Sequence, residues 1–128
     1  AWYAAVHNAA ESLHELIGAR ADIDKGNTDG STPLFMAAQE NSIQALQILI
    51  DAKADMNTAA TVFNGKTPVF RAAEANSIEA LKLLIEHRAD IDKPTRDAKT
   101  PIMIAVENGN TEAESLLVAA GAAGSTSA

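Results

Sequence analysis

The chain has 128 residues, 47% of them hydrophobic, with a formal net charge of −7 and no cysteine. That is a single domain's worth of chain, able to withdraw roughly two-thirds of its unfolded surface from water. The missing thiols exclude disulfides and thiolate metal sites. The acidic balance argues against nucleic acid or an anionic membrane as partner, since both bind through cationic patches.

No apolar run reaches the roughly 18 residues that a bilayer crossing requires, and the start lacks the charged and apolar halves of a signal peptide. The expectation is a soluble protein of the cytoplasm or nucleus, without membrane insertion. With one Trp, one Tyr and three Phe, the interior has to be built from Ala, Leu and Ile.

Along the chain the same pattern returns. Ala4-Ala5, Asn8, Leu13, Leu16-Ile17 and Ala21-Asp22-Ile23 precede Ala37-Ala38, Asn41, Leu46, Leu49-Ile50 and Ala54-Asp55-Met56 by 33 residues. This first copy lacks its opening segment, and Trp2 falls in the column of Phe35 and Phe70. A chain starting at Ala1 in mid-copy reads as a piece of something longer.

The second and third copies are nearly complete. Thr32-Pro33-Leu34 opens one and Thr67-Pro68-Val69 the other. Threonine at such a position caps a helix through its hydroxyl, and proline at the next gives up no needed donor. Leu34, Ala37 and Ala38 then share one helical face. Asn41 is expected to end that helix in the left-handed conformation, as Gly109 does in the last copy. Ser42, or Asn110 in the last copy, is expected to cap a second helix whose inward stripe is Leu46, Leu49 and Ile50. The fourth copy opens at Thr100-Pro101-Ile102 and fades into Gly121–Ala128; Glu114 replaces Leu46 and Leu81, as a water-facing terminal helix would have it.

About a dozen polar, turn-forming residues separate successive helix pairs and predict projecting, hairpin-like fingers. A period of 33 to 35 residues marks a helical solenoid, whose long free surface directs attention to partners rather than chemistry.

These residues resemble the ankyrin-repeat family: Thr-Pro-Leu and Ala-Ala, the Leu-rich second helix and Ala-Asp stand in Thr32 to Asp55 and again in Thr67 to Asp90. The resemblance implies an all-α ankyrin-repeat solenoid of stacked helix-turn-helix units over residues 1–122, in approximate repeats 1–26, 27–59, 60–94 and 95–122, with 123–128 a low-complexity tail. Two departures matter. Phe35, Phe70 and Met103 replace the family's His, so apolar packing has to take over its links. Arg20, Lys53 and Arg88 replace Gly; either strain is tolerated there or those helix ends are built differently.

The resemblance also implies a non-catalytic module that offers a protein partner a concave surface of first helices and fingers. Carried onto this chain, that surface comprises Tyr3, Met36, Gln39, Glu40, Arg71, Glu74, Ile104, Glu107 and Asn108 on the helices. The fingers contribute Asn64, Lys66, Arg96 and Asp97. Phe63, an aromatic side chain on the longest finger, is expected with Val62 to anchor the partner. Alternatives are a targeting or regulatory segment of a larger multidomain protein, and weak self-association through the incomplete first repeat in place of a monomer.

No cofactor, metal or catalytic group is expected. His7, His14 and His87 have no companions with ligand spacing, and Asp22, Asp24, Asp90 and Asp92 read as turn-forming carboxylates. Arg20, Lys53 and Arg88 read as a solvated row, or as pairs with the aspartates two residues on.

Overall fold

Each first helix begins at a threonine–proline pair. In the computed structural model, which describes residues 31–60 and 64–122, Thr32, Thr67 and Thr100 are extended, and their hydroxyl oxygens accept the N–H of Phe35, Phe70 and Met103. The helices that follow are α1 (Pro33–Gln39), α3 (Pro68–Ala75) and α5 (Pro101–Glu107). They alternate with α2 (Ile43–Asp51), α4 (Ile78–Glu86) and α6 (Thr111–Ala119). Among the described residues extended pairing is limited to one isolated antiparallel bridge between Ala60 and Lys66.

One device closes the helices. The residue just past the end turns left-handed, and two consecutive N–H groups reach back to the last turn's carbonyls. After α1, Asn41 (φ 56°) donates to the Ala38 carbonyl at 3.3 Å and Ser42 to that of Ala37 at 2.9 Å. After α2, α4 and α6 the left-handed residues are Lys53 (φ 69°), Arg88 (φ 65°) and Gly121 (φ 85°). The N–H groups of Ala54, Ala89 and Ala122 then bond the carbonyls of Leu49, Leu84 and Leu117, each at 3.0 Å. Lys53 and Arg88 therefore accept the strain, about 1 to 2 kcal/mol each, in an end built just as a glycine end would be. Arg20 lies outside the described residues.

Helices α1, α3 and α5 stack side by side, and α2, α4 and α6 form the second layer behind them. Ala37, Ala38, Ala72 and Ala73 are fully buried, which lets adjacent first helices approach closely. Phe35 and Phe70, where the family has histidine, are buried. Met103, in the same column, is 48% exposed; with Val106 at 55% and Val118 at 44% it leaves an apolar end on the last helix pair. Glu114 is half-buried there, while Glu112 and Ser115 face water.

The second helices depart from expectation at their starts. Ser42, Ser77 and Asn110 make no side-chain cap bond to their own helices. Ser77 Oγ instead donates to the Gln39 carbonyl at the end of α1 (2.9 Å), and Asn110 Nδ2 donates to the Ala73 carbonyl of α3 (2.8 Å). Asn41 Oδ1 returns the favour to α4 by accepting the Ala80 N–H at 2.9 Å. Hydrogen-bonding capacity that the sequence assigned within one repeat is thus spent between repeats.

Candidate partner-binding face

Two neighbouring fingers stand beside α3 and α5. The first is closed by the Ala60 N–H donating to the Lys66 carbonyl (2.8 Å) and the Gly65 N–H to the Ala60 carbonyl (3.0 Å). Asn64 and Gly65 are both left-handed, at φ 59° and 74°. A Cβ on Gly65 would come within 3.4 Å of Arg96 Cγ, because the next finger passes close by. That finger closes through the Thr95 N–H and the Lys99 carbonyl (2.8 Å). The two are tied together: the Arg96 N–H donates to the Asn64 carbonyl (2.9 Å), and Asn64 Nδ2 donates to Asp97 Oδ1 (2.8 Å). The Thr95 hydroxyl donates to the same Asp97 oxygen.

Each finger is also tied to its own helix. Lys66 Nζ reaches both carboxylate oxygens of Glu74, at 2.9 and 3.0 Å, and Lys99 Nζ reaches Glu107 Oε1 at 2.9 Å. Both pairs span eight residues, from the finger's return limb to the last turn of the first helix. Lys66 also stands over the Phe70 ring, 5.8 Å from its centroid. Arg71 joins the first group. Its NH1 donates to Glu74 Oε1 at 2.6 Å and its Nε to Gln39 Oε1 at 2.9 Å, across the boundary between α3 and α1. Gln39 Nε2 in turn donates to Glu40 Oε1 (3.2 Å). Between the fingers and helices lies a cleft of about 200 Å³, with Phe70 and Ile104 beneath and Lys66, Glu74, Asp97 and Lys99 around it.

Charge states follow from these contacts. Burial pushes the Glu74 carboxyl up, but hydrogen bonds from Lys66 and Arg71, with their positive charges, outweigh it and hold the group below its usual value. Asp97 is lowered, first by the Thr95 hydroxyl and then by Asn64. Lys99 is raised, chiefly by its bond to Glu107. All three stay ionised at neutral pH, so the face is a lattice of fixed charges of both signs.

Of the residues expected on this face, the structure brings Gln39, Lys66, Arg71 and Glu74 into one bonded group, and Asn64, Asp97 and, through Thr95 and Lys99, Glu107 into a second. Met36 is half-buried; Glu40, Arg96 and Asn108 are exposed, and Asn108 Nδ2 donates to the Glu74 carbonyl at 3.4 Å. Ile104 departs from expectation: it is 7% exposed and belongs to the core, because α5 turns it under the cleft. Tyr3, Trp2, Val62 and Phe63 lie outside the described residues, as do His7, His14, Asp22 and Asp24. Thr95 and Phe70, which line the cleft, were not among the residues expected here. The recurring eight-residue spacing from Lys to Glu was the signal available for the ion pairs.

The aspartates serve turns. Asp55 Oδ1 accepts the Asn57 N–H at 2.8 Å, and Asp90 Oδ1 accepts that of Asp92 at 2.9 Å. Lys53, His87 and Arg88 are exposed. Among the described residues no group of three His, Asp or Glu side chains is placed to hold a metal ion, and no helix is long and apolar enough to cross a membrane.

Paired helices in two layers, with fingers bonded to the first helices and to one another, define a helical repeat stack. A family model for ankyrin repeats, in three copies, matches residues 1–95, and the chain belongs to the ankyrin-repeat family. Proteins of this family generally mediate protein–protein interaction and are typically non-catalytic. A search of curated proteins finds no match to this chain.

Proposed function

We propose that the face made by the fingers and first helices binds a protein partner, and that the chain acts as a rigid, non-catalytic recognition module. The observation that carries this reading is the bonding between fingers. Arg96 to Asn64 and Asn64 to Asp97 join two repeats outside the core, so this part of the face is held in place before any partner arrives. Little entropy remains to be lost on binding. Phe63 and Tyr3 are proposed as aromatic anchors on the same face, in keeping with the side chains enriched at interfaces.

Affinity capture from a lysate tests it. A variant carrying Phe63→Ala and Arg96→Ala should lose the recovered protein while melting like the wild type. A variant altered on the opposite layer, Gln44→Ala with Lys82→Ala, should keep it. Equal recovery by both variants would refute the assignment of the face.

A second reading rests on Met103, Val106 and Val118. Their columns are the ones that join helix pairs inside the stack, so a second copy can cover them end to end. Their exposed area is small beside the roughly 800 Å² per partner of a stable interface, which makes the association weak. Light scattering across a concentration series should then show mass rising with concentration, and Val106→Glu should abolish the rise. The role of a targeting or regulatory segment within a larger protein is compatible with either reading.

A further inference from the structure

Within the proposed binding face, we infer that Arg71 is a receptor for a carboxylate, an Asp or Glu side chain of the protein partner; the inference rests on the binding-module reading and adds the partner's chemistry. The guanidinium is held before binding. Nε is fixed on Gln39 Oε1 at 2.9 Å and one NH1 proton on Glu74 Oε1 at 2.6 Å. Its other three N–H groups, the second on NH1 and both on NH2, have no acceptor among the described residues. Both protons of NH2 and one of NH1 are thus left for a further acceptor, and a carboxylate, with its two oxygens, is the group that can take two of them in parallel.

Charge bookkeeping points the same way. Lys66 and Arg71 share the single carboxylate of Glu74, so these three groups carry one net positive charge, while Glu40, bonded to Gln39, and Asp97, across the cleft, bring negative charge beside them. The Lys66, Arg71 and Glu74 side chains are only 22%, 29% and 20% exposed, respectively, so water screens their charges less than it would at an open surface. The equivalent pair one repeat on, Lys99 and Glu107, is balanced and more exposed, and α5 carries Ile104 where α3 carries Arg71. Among the described residues, Glu74 has two cationic partners and Glu107 one. Met36 and Ile104 flank Arg71 in its column, and neither offers a competing charge.

The holding groups matter as much as the receptor. Gln39 belongs to α1 and Glu74 to α3, so the fork is aimed by two repeats at once and keeps little rotamer freedom to lose. Lysine in place of Arg71 would retain the charge but lose the Nε bond and the paired donors.

Two amidated and acetylated tripeptides, Ala-Glu-Ala and Ala-Gln-Ala, provide the test, followed through the Arg71 Nε–H resonance of the labelled protein. The Glu peptide should bind about fivefold more tightly than its neutral twin. That preference should fall on adding salt and disappear in Arg71→Lys and in Gln39→Ala, both of which should melt like the wild type. Equal shifts from the two peptides, or a preference for Glu that survives in Arg71→Lys, would overturn the inference. The two failures look different: a lysate partner captured through the fingers but indifferent to Arg71→Lys removes the carboxylate receptor and leaves the binding module standing, whereas equal recovery by the Phe63→Ala, Arg96→Ala variant and the opposite-layer variant removes the binding face itself.

Discussion

Glycine in place of Arg88 changes a left-handed helix end without altering any packed side chain. Arg88 sits at φ 65°, donates to the Ile85 carbonyl at 3.0 Å and is exposed, so its substitution probes backbone conformation and charge alone. Left-handed backbone costs a residue with a Cβ about 1 to 2 kcal/mol. Glycine escapes that penalty but surrenders about 0.4 to 1 kcal/mol through its freer unfolded chain. Loss of the cation at the C-terminus of α4 removes about 0.3 kcal/mol more. Arg88→Gly should therefore gain about 0.5 kcal/mol, whereas Arg88→Ala keeps the strain, loses the charge and falls slightly below the wild type. The difference between the two variants, about 1 kcal/mol in favour of glycine, isolates the backbone effect. Urea unfolding measures it as a shift in midpoint at constant slope. At Lys82, exposed within α4, the order should invert, with alanine better by about 1 kcal/mol. Alanine matching or exceeding glycine at position 88 would show that the left-handed geometry carries no strain, and the reasoning would fall.

Phe70→Ala should destabilise the chain by about 3 to 5 kcal/mol, because the ring is buried, and calorimetry would register it as a large fall in melting temperature. Glu74→Gln addresses acid stability. The carboxyl is lowered in the folded chain, so its stabilising contribution is full above the unfolded pKa and is lost as pH falls through the folded one. The stability gap between wild type and Glu74→Gln, read from urea midpoints, should accordingly narrow from neutral pH to about pH 3. Asn41→Gly keeps the left-handed turn but removes the acceptor for the Ala80 N–H; a loss of about 1 kcal/mol is expected, and no change in urea midpoint would mean that water replaces the asparagine.

What the sequence disclosed and what it withheld divide along range of interaction. The Thr-Pro starts and the Asn41 and Gly109 ends involve neighbours along the chain, so residue type alone announces them. Leu46, Leu49 and their copies declare a buried stripe by spacing. Asn110, and Ser77 one copy on from the Ser42 read as a cap, have locally the right chemistry to cap the helices they precede. Their bonds go to the preceding repeat because stacking brings the Gln39 and Ala73 carbonyls within reach, a fact with no local signature. Ile104 was misplaced for a related reason: it aligns with Met36 and Arg71, but the cleft between fingers buries its column only beneath the last pair. The members of the charged face could be named individually, while the sharing of Glu74 by two cations depends on side-chain directions that spacing does not fix.

The hydrogen bonds exchanged by Asn41, Ser77 and Asn110 bear on how the chain comes apart. Pulling α1 and α2 away would strip Ala80 of its acceptor and the Ser77 hydroxyl of its carbonyl, so the first rupture already weakens the unit behind it. Mechanical stretching should then yield few large steps instead of a staircase of single-repeat events, and a protease should find intact chains and short peptides with scarcely any trimmed intermediates.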